Sequence, residues 1–99
     1  MNRLMGMLGL CARAGALVSG EKISLKTIRS GRARVVLLDQ AAAPNAEKAL
    51  SDACAHHGVK LLRVQEGRLG EVIGKPGRMV VCVTDPGFAG QILRLAEEG

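Results

Sequence analysis

Basic side chains are concentrated in one short part of this sequence. Residues 18–38 carry five Lys or Arg and one acid, and this stretch ends in the apolar letters VVLL at residues 35–38. At about 100° per residue of an α-helix, Lys22, Lys26 and Arg29 fall within roughly 60° of one another. A helix face that is merely solvent-exposed more often carries both acidic and basic residues, because opposite charges four residues apart stabilise the helix. The acid-free stripe therefore favours a polyanionic partner.

A second concentration of charge lies in a glycine-rich turn near residue 76. Gly74, Pro76 and Gly77 predict a tight loop that exposes Lys75 and Arg78. We expect this loop to lie beside the start of the basic helix, where Gly20 would present free backbone N–H groups and a partial positive charge to a phosphate. The sequence therefore predicts one anion-binding site, made of Gly20, Lys22, Lys26, Arg29, Arg32, Lys75, Pro76, Gly77 and Arg78, with Arg34 able to act beside Arg32.

The charge of the whole chain has the same asymmetry. The net charge is +5, but residues 1–38 hold seven basic residues and one acid, a net +6, whereas residues 39–99 hold seven basic and eight acidic residues, a net −1. Such a distribution indicates a partner rich in phosphate, and a merely solubilising excess of charge is the alternative. With one Phe and no Trp or Tyr, the chain has almost no means of stacking on bases.

Catalytic and metal-binding patterns are poorly represented. His56 and His57 are adjacent and would point about 100° apart on a helix, with only Cys54 nearby, so we predict no metal site. No G-x-S-x-G nucleophile turn occurs. The letters GEVIGKP miss the Walker spacing by one residue and place Pro76 where Ser or Thr should hold magnesium. We predict no catalytic residue and no cofactor, although an enzyme with an unusual site stays open as a rival.

Alternating helices and strands must position these residues. The patterns predict helices over residues 2–14, from Ser19 as N-cap to Gly31, over 44–57, over 68–74 and from 86 onward. Short extended segments are expected at 17–18, 34–39, 59–64 and 79–85, and His57 is expected at the edge of the core. This order predicts an α/β sandwich with helices on both faces of a small sheet, forming one domain over residues 1–99.

The cysteines and the apolar runs indicate the compartment. Cys11, Cys54 and Cys82 are odd in number and contain no CxxC pair, which is typical of reduced, buried thiols in a cytoplasmic protein. No apolar run reaches the roughly 20 residues that a membrane helix needs. We therefore expect a cytoplasmic protein without a membrane partner, and a monomer is the favoured state.

The order of these motifs resembles a known family. The letters LGLCARAGALVSGEK at residues 8–22, IRSG at 28–31, and LGEVIGK followed by MVVCVTD at 69–85 are similar to the ribosomal protein L7Ae and L30e type family, and most of all to its small bacterial members. The resemblance implies a three-layer α/β/α sandwich around a four-stranded mixed sheet. It also implies a non-enzymatic protein that binds structured RNA, ribosomal RNA included, at kink-turns with sheared G·A pairs.

One motif of that family differs in this chain. The family's Gly-x-Asn-Glu-x-x-Lys corresponds to residues 20–26, in which Gly20 and Lys26 match while Lys22 and Ile23 replace the Asn and Glu. Those two polar side chains read the sheared pairs in the family, so the resemblance implies weaker discrimination among RNAs here. A protein-interaction module with the same fold, acting without RNA, is the alternative function.

Overall fold

The computed structural model describes residues 3–98, and Asn2, with which the first predicted helix begins, lies outside them. Within these residues, five helices and four strands alternate. They are α1 (Arg3–Arg13), β1 (Leu17–Ser19), α2 (Glu21–Arg29), β2 (Val35–Asp39), α3 (Pro44–His57), β3 (Lys60–Val64), α4 (Arg68–Ile73), β4 (Val80–Val83) and α5 (Pro86–Glu98).

The four strands form one mixed sheet in the order β1-β4-β2-β3. β2 pairs in parallel with β3, whereas β4 runs antiparallel to both β2 and β1. The central strands β2 and β4 are buried along their whole length, as their continuous apolar letters predict. β1 and β3 are therefore the two edges, and β1 is the edge that leads into α2.

Helices cover both faces of the sheet, so the predicted three-layer α/β/α sandwich is confirmed. Alternate residues of each strand point to opposite faces, which divides the core into two clusters. One cluster joins α1, α4 and α5 to the sheet through residues such as Leu8, Leu69 and Ile92. The other joins α2 and α3 to the opposite face through Ile28 and Leu50.

The structure corrects two predicted details. Ser19 does not cap α2, because it is the last residue of β1 and pairs with Val81; Gly20 occupies the N-cap position instead. His57 is exposed instead of lying at the core edge. It is the last residue of α3, and Gly58 turns the chain away in the left-handed conformation (φ 68°) directly after it.

A buried carboxylate ties two loops together. The side chain of Asp39, only 2% exposed at the end of β2, accepts a hydrogen bond from the backbone N–H of Ala41 at 2.7 Å and another from Gly67 at 2.8 Å. A buried carboxylate is stable only when such donors satisfy it. Asp39 thereby fixes the turn after β2 and the turn before α4, the helix that precedes the basic loop at residues 75–78.

Candidate nucleic-acid interface

The N-terminus of α2 is open. Gly20 adopts φ 114° and ψ 153°, a backbone conformation that is almost exclusive to glycine, and no described side chain caps the helix. The Gly20 N–H donates to the carbonyl oxygen of Val80 at 3.0 Å, which fixes the helix start to the central strand β4. The N–H groups of the first turn are left without intrahelical acceptors, as at any helix start. They can therefore serve an anion.

Arg78 fastens the second basic segment to this helix start. Its Nη1 donates to the carbonyl oxygen of Ser19 at 2.9 Å, across 59 residues of sequence. A Cβ added at Gly20 would lie 2.7 Å from the same Nη1, so the guanidinium occupies space that only glycine leaves free. The structure thus brings Gly20 and Arg78 together, as the sequence led us to expect.

The rest of the cationic loop, residues 75–78, is held in place by α4. A Cβ at Gly70 would lie 2.8 Å from the carbonyl oxygen of Lys75, 3.0 Å from the Gly77 nitrogen and 3.2 Å from the Pro76 Cα. The Lys75 N–H also donates to the Gly70 carbonyl oxygen at 2.9 Å. Gly70 therefore permits a close backbone approach that sets the loop beside α2.

The described residues form clefts along α2 and the cationic loop, and three of these clefts bear on the site. The α1-side cleft has a volume of about 280 Å³, and Lys75 and Arg78 are its charged residues. Its other lining residues are Ala12, Leu17, Val18, Ser19, Ile23 and Ile73. This cleft follows the outer edge of β1, so it places the loop cations beside the edge strand.

A second cleft continues along α2 toward the far end of β1. This edge cleft, of about 430 Å³, is lined by Val18, Ile23, Lys26, Thr27, Arg32, Arg34 and Thr84. It contains three cations and no carboxylate. Val18 and Ile23 line both clefts, so the two form adjoining parts of one surface.

The third cleft lies on the opposite side of the loop and is largely apolar. This apolar cleft measures about 280 Å³. Arg78 lies on the boundary, since it lines both this cleft and the α1-side cleft. The other lining residues are Gly20, Glu21, Leu38, Ala42, Ala43, Ala46, Leu50, Gly77, Met79 and Val80.

The predicted site residues do not all meet. Arg29 faces α3, where it lines a cleft together with Asp52, His56 and His57. Lys22 is exposed and lines none of these clefts. Pro76 packs toward Gly70, as the short distance to its Cα indicates. The stripe of Lys22, Lys26 and Arg29 is thus exposed along α2, but its members face different neighbours.

The cations of this surface are free of carboxylate partners. The four ion pairs found among residues 3–98 are Arg3–Glu98, Lys48–Asp52, Arg63–Glu47 and Arg68–Glu71. None of them includes a cation of the α2 start, of the cationic loop or of the edge cleft. Among the described residues, the cations of this edge are therefore not compensated by an ion pair.

The roles of Ile23 and Gly70 are not evident from the sequence. Ile23 is 45% exposed and, with Val18, lines both basic clefts. In the sequence, Ile23 indicates only that the polar Glu side chain of the family motif is missing at this position. Its position about 60° from Lys26 on the helix could have marked it as an apolar residue on a charged face. No pattern in the sequence signals Gly70, because its role depends on a loop that folds back onto its helix.

Other chemistry has little support in the described structure. Cys11, Cys54 and Cys82 are free and buried, which confirms the predicted burial. Loss of hydration raises the pKa of Cys11 to about 11 and of Cys82 to about 12, with smaller contributions from Asp85 and Cys54 respectively; it also raises the pKa of Cys54. Within residues 3–98, no three His, Cys, Asp or Glu side chains are grouped to hold a metal ion. None of the helices in that range is long and apolar enough to cross a membrane.

Comparison with known proteins identifies the family. Residues 2–93 match the Ribosomal protein L7Ae/L30e/S12e/Gadd45 family, and the chain belongs to it. The RNA-binding protein YlxQ of Bacillus subtilis (strain 168) is 42% identical over 92 residues, which cover 92% of this chain and 92% of that protein. The RNA-binding protein YlxQ of Enterococcus faecium is 32% identical over 96 residues, which cover 96% of this chain and 92% of that protein.

Solved structures share the fold. A protein of unknown function from Bacillus halodurans C is 32% identical and superimposes with a TM-score of 0.93, over 98% of this chain and 99% of that one. The Giardia lamblia 15.5kD RNA binding protein is 23% identical, with a TM-score of 0.72 over 93% of this chain and 86% of that one. The second likeness concerns the fold alone.

Proposed function

We propose that this protein binds structured RNA without catalysing a reaction, through the α2 start and the cationic loop. The observation that carries the proposal is the set of unpaired cations around an uncapped helix N-terminus. Membership of the family and the printed names of the YlxQ relatives support RNA as the polyanion. The alternative of a protein-interaction module has no comparable support, since phosphate is what a cationic, carboxylate-poor edge best complements.

The preferred RNA has a widened groove, as at a kink-turn. The base edges of a regular A-form duplex are hidden in a deep, narrow major groove, so a helix end needs an opened site to reach them. Lys22 and Lys26 are the side chains assigned to base edges and neighbouring phosphates, and Arg78 and Lys75 to phosphates on the other side. The apolar cleft beside Met79 can receive an unstacked base. We propose ribosomal RNA as one of the targets. We also propose that the protein acts in the cytoplasm and as a monomer.

Discrimination between RNAs should be modest. Lys22 can only donate hydrogen bonds and lacks the planar geometry of an amide, while Ile23 has no polar atom. We expect a kink-turn RNA to be preferred over a plain duplex by about tenfold, or roughly 1.4 kcal/mol. A competition titration at fixed salt measures this ratio. Equal affinity for the two RNAs would contradict the proposed kink-turn preference.

A charge-matched pair of variants tests the site itself. Replacing Lys22 and Lys26 together by Ala should weaken binding by roughly 1–3 kcal/mol and flatten its salt dependence. The control removes the same charge at Lys60 and Arg94, which are exposed, unpaired among the described residues and lie on β3 and α5. If both double variants lose the same affinity, binding depends on net charge alone and the site assignment is wrong.

A further inference from the structure

The edge cleft holds two cations, Arg32 and Arg34, that have no assigned contact in the proposed RNA site. Lys26, Arg32 and Arg34 converge on it from α2 and from the turn that follows α2. No acid lines the cleft, and none of the three cations takes part in an ion pair within residues 3–98. Three like charges facing one cavity repel each other unless an anion occupies it.

The polar groups around the cleft hold its shape. The Arg32 Nε donates to the Ser30 hydroxyl at 3.0 Å, and that hydroxyl in turn donates to the Thr27 carbonyl oxygen at 3.0 Å. The Thr84 hydroxyl donates to the carbonyl oxygen of Ala16 at 3.2 Å. Arg32 is thus oriented by a neutral partner that leaves its charge uncompensated, which suits a group that binds an external anion.

The length of α2 sets the scale for the distance between an anion in the edge cleft and the RNA held at the α2 start. Val18 and Ile23 separate it from the α1-side cleft, so the two basic regions lie along one side of α2. The nine residues of α2 are ~13 Å long. In a double helix with roughly one charge per 1.7 Å, as in B-form DNA, ~13 Å of duplex presents about eight phosphates.

We propose that the edge cleft binds backbone phosphates of a duplex arm that leaves the RNA element held at the α2 start. This inference rests on the proposed function and adds a second contact region to it. Lys26, Arg32 and Arg34 can donate to phosphate oxygens, and we assign them to the backbone of the arm, where contacts fix its position and carry no sequence information. A duplex arm supplies regularly spaced phosphates over a distance comparable to the length of α2. The RNA-binding relatives favour RNA over an acidic peptide as the polyanion that these three cations bind.

Two kink-turn RNAs that differ only in arm length test the inference. In the short RNA, both arms stop before they extend ~13 Å, the length of α2, one in a hairpin loop and the other at the two strand ends; in the long RNA, the arms extend at least twice as far. Arg32 and Arg34 are replaced together by Gln, and the control variant is Lys60→Gln with Arg94→Gln. Thermal melting first establishes that both variants are folded.

The expected result depends on the arm. The Arg32→Gln and Arg34→Gln variant should lose on the order of tenfold in affinity for the long RNA, and its salt slope should fall by about 2. Its affinity for the short RNA should change no more than that of the control variant. Equal losses on both RNAs, or losses that match the control, would overturn the inference alone. A parent protein that binds neither RNA would overturn the proposed function as well.

Discussion

Replacing Gly20 by Ala tests whether the helix start and the cationic loop are one unit. Gly20 has φ 114° and ψ 153°, a conformation that costs a residue with a Cβ about 1–3 kcal/mol. The new methyl group would also lie 2.7 Å from Nη1 of Arg78. The flexible guanidinium must then move and lose its bond to the Ser19 carbonyl oxygen.

The two costs can be separated by a double-mutant cycle. An exposed hydrogen bond of this kind contributes about 0.5–1.5 kcal/mol, so Gly20→Ala should lower the free energy of unfolding by roughly 1.5–4.5 kcal/mol in total. In an Arg78→Ala background the bond is already absent, and only the backbone strain remains. The cost of Gly20→Ala should therefore be about 0.5–1.5 kcal/mol smaller there.

Urea denaturation of the parent, both single variants and the double variant measures the coupling. Gly58→Ala is the control substitution, because Gly58 also has positive φ (68°) but nothing lies within 4 Å of its added Cβ. Its cost should be the same with and without Arg78. If the costs of Gly20→Ala and Arg78→Ala simply add, to within about 0.5 kcal/mol, the proposed link between Arg78 and the helix start is wrong.

Three further substitutions have defined outcomes. Gly70→Ala forces the backbone of the cationic loop to move, so RNA affinity measured by titration should fall several-fold while α2 keeps its helical signal; unchanged affinity would show that the loop position is unimportant. Asp39→Asn removes the buried charged acceptor of two part-buried hydrogen bonds from loop N–H groups and should cost about 1–3 kcal/mol in urea, against less than about 0.5 kcal/mol for the exposed Asp52→Asn. Because burial raises the pKa of Cys11 to about 11 and of Cys82 to about 12, the folded state retains thiol protons that the unfolded state loses above about pH 9, so stability should fall as pH rises from 9 toward 12. Thermal melts under reducing conditions should show this slope reduced in a Cys82→Ala variant, and an unaltered slope would assign it to other groups.

The fold was predictable because local patterns and the family resemblance agreed on it. The runs VVLL and VVCV have no polar face, which is possible only for strands covered on both sides, and they became the central strands β2 and β4. The helix ends were less certain. Ser19 has the side chain of an N-cap, but its pairing with Val81 placed it in β1, so a tertiary contact overrode a local preference.

The composition of the site was only partly predictable for a similar reason. Helical periodicity places Lys22, Lys26 and Arg29 on one side of α2, but it cannot say what stands opposite each of them. α3 stands opposite Arg29, and the edge of β1 stands beside Lys26. The members of one stripe therefore have different neighbours.

The sequence by itself determined the elements, the two-sided core and the surplus of positive charge in the first third of the chain, because these depend on residue type and on spacing within single segments. Only the tertiary structure decided that Arg78 bonds to the Ser19 carbonyl oxygen, that Gly70 admits the cationic loop, and that Ile23 separates two basic clefts. Each of these depends on an approach between segments far apart in sequence. Such an approach is set by how the sheet and its helices pack, which no single segment encodes.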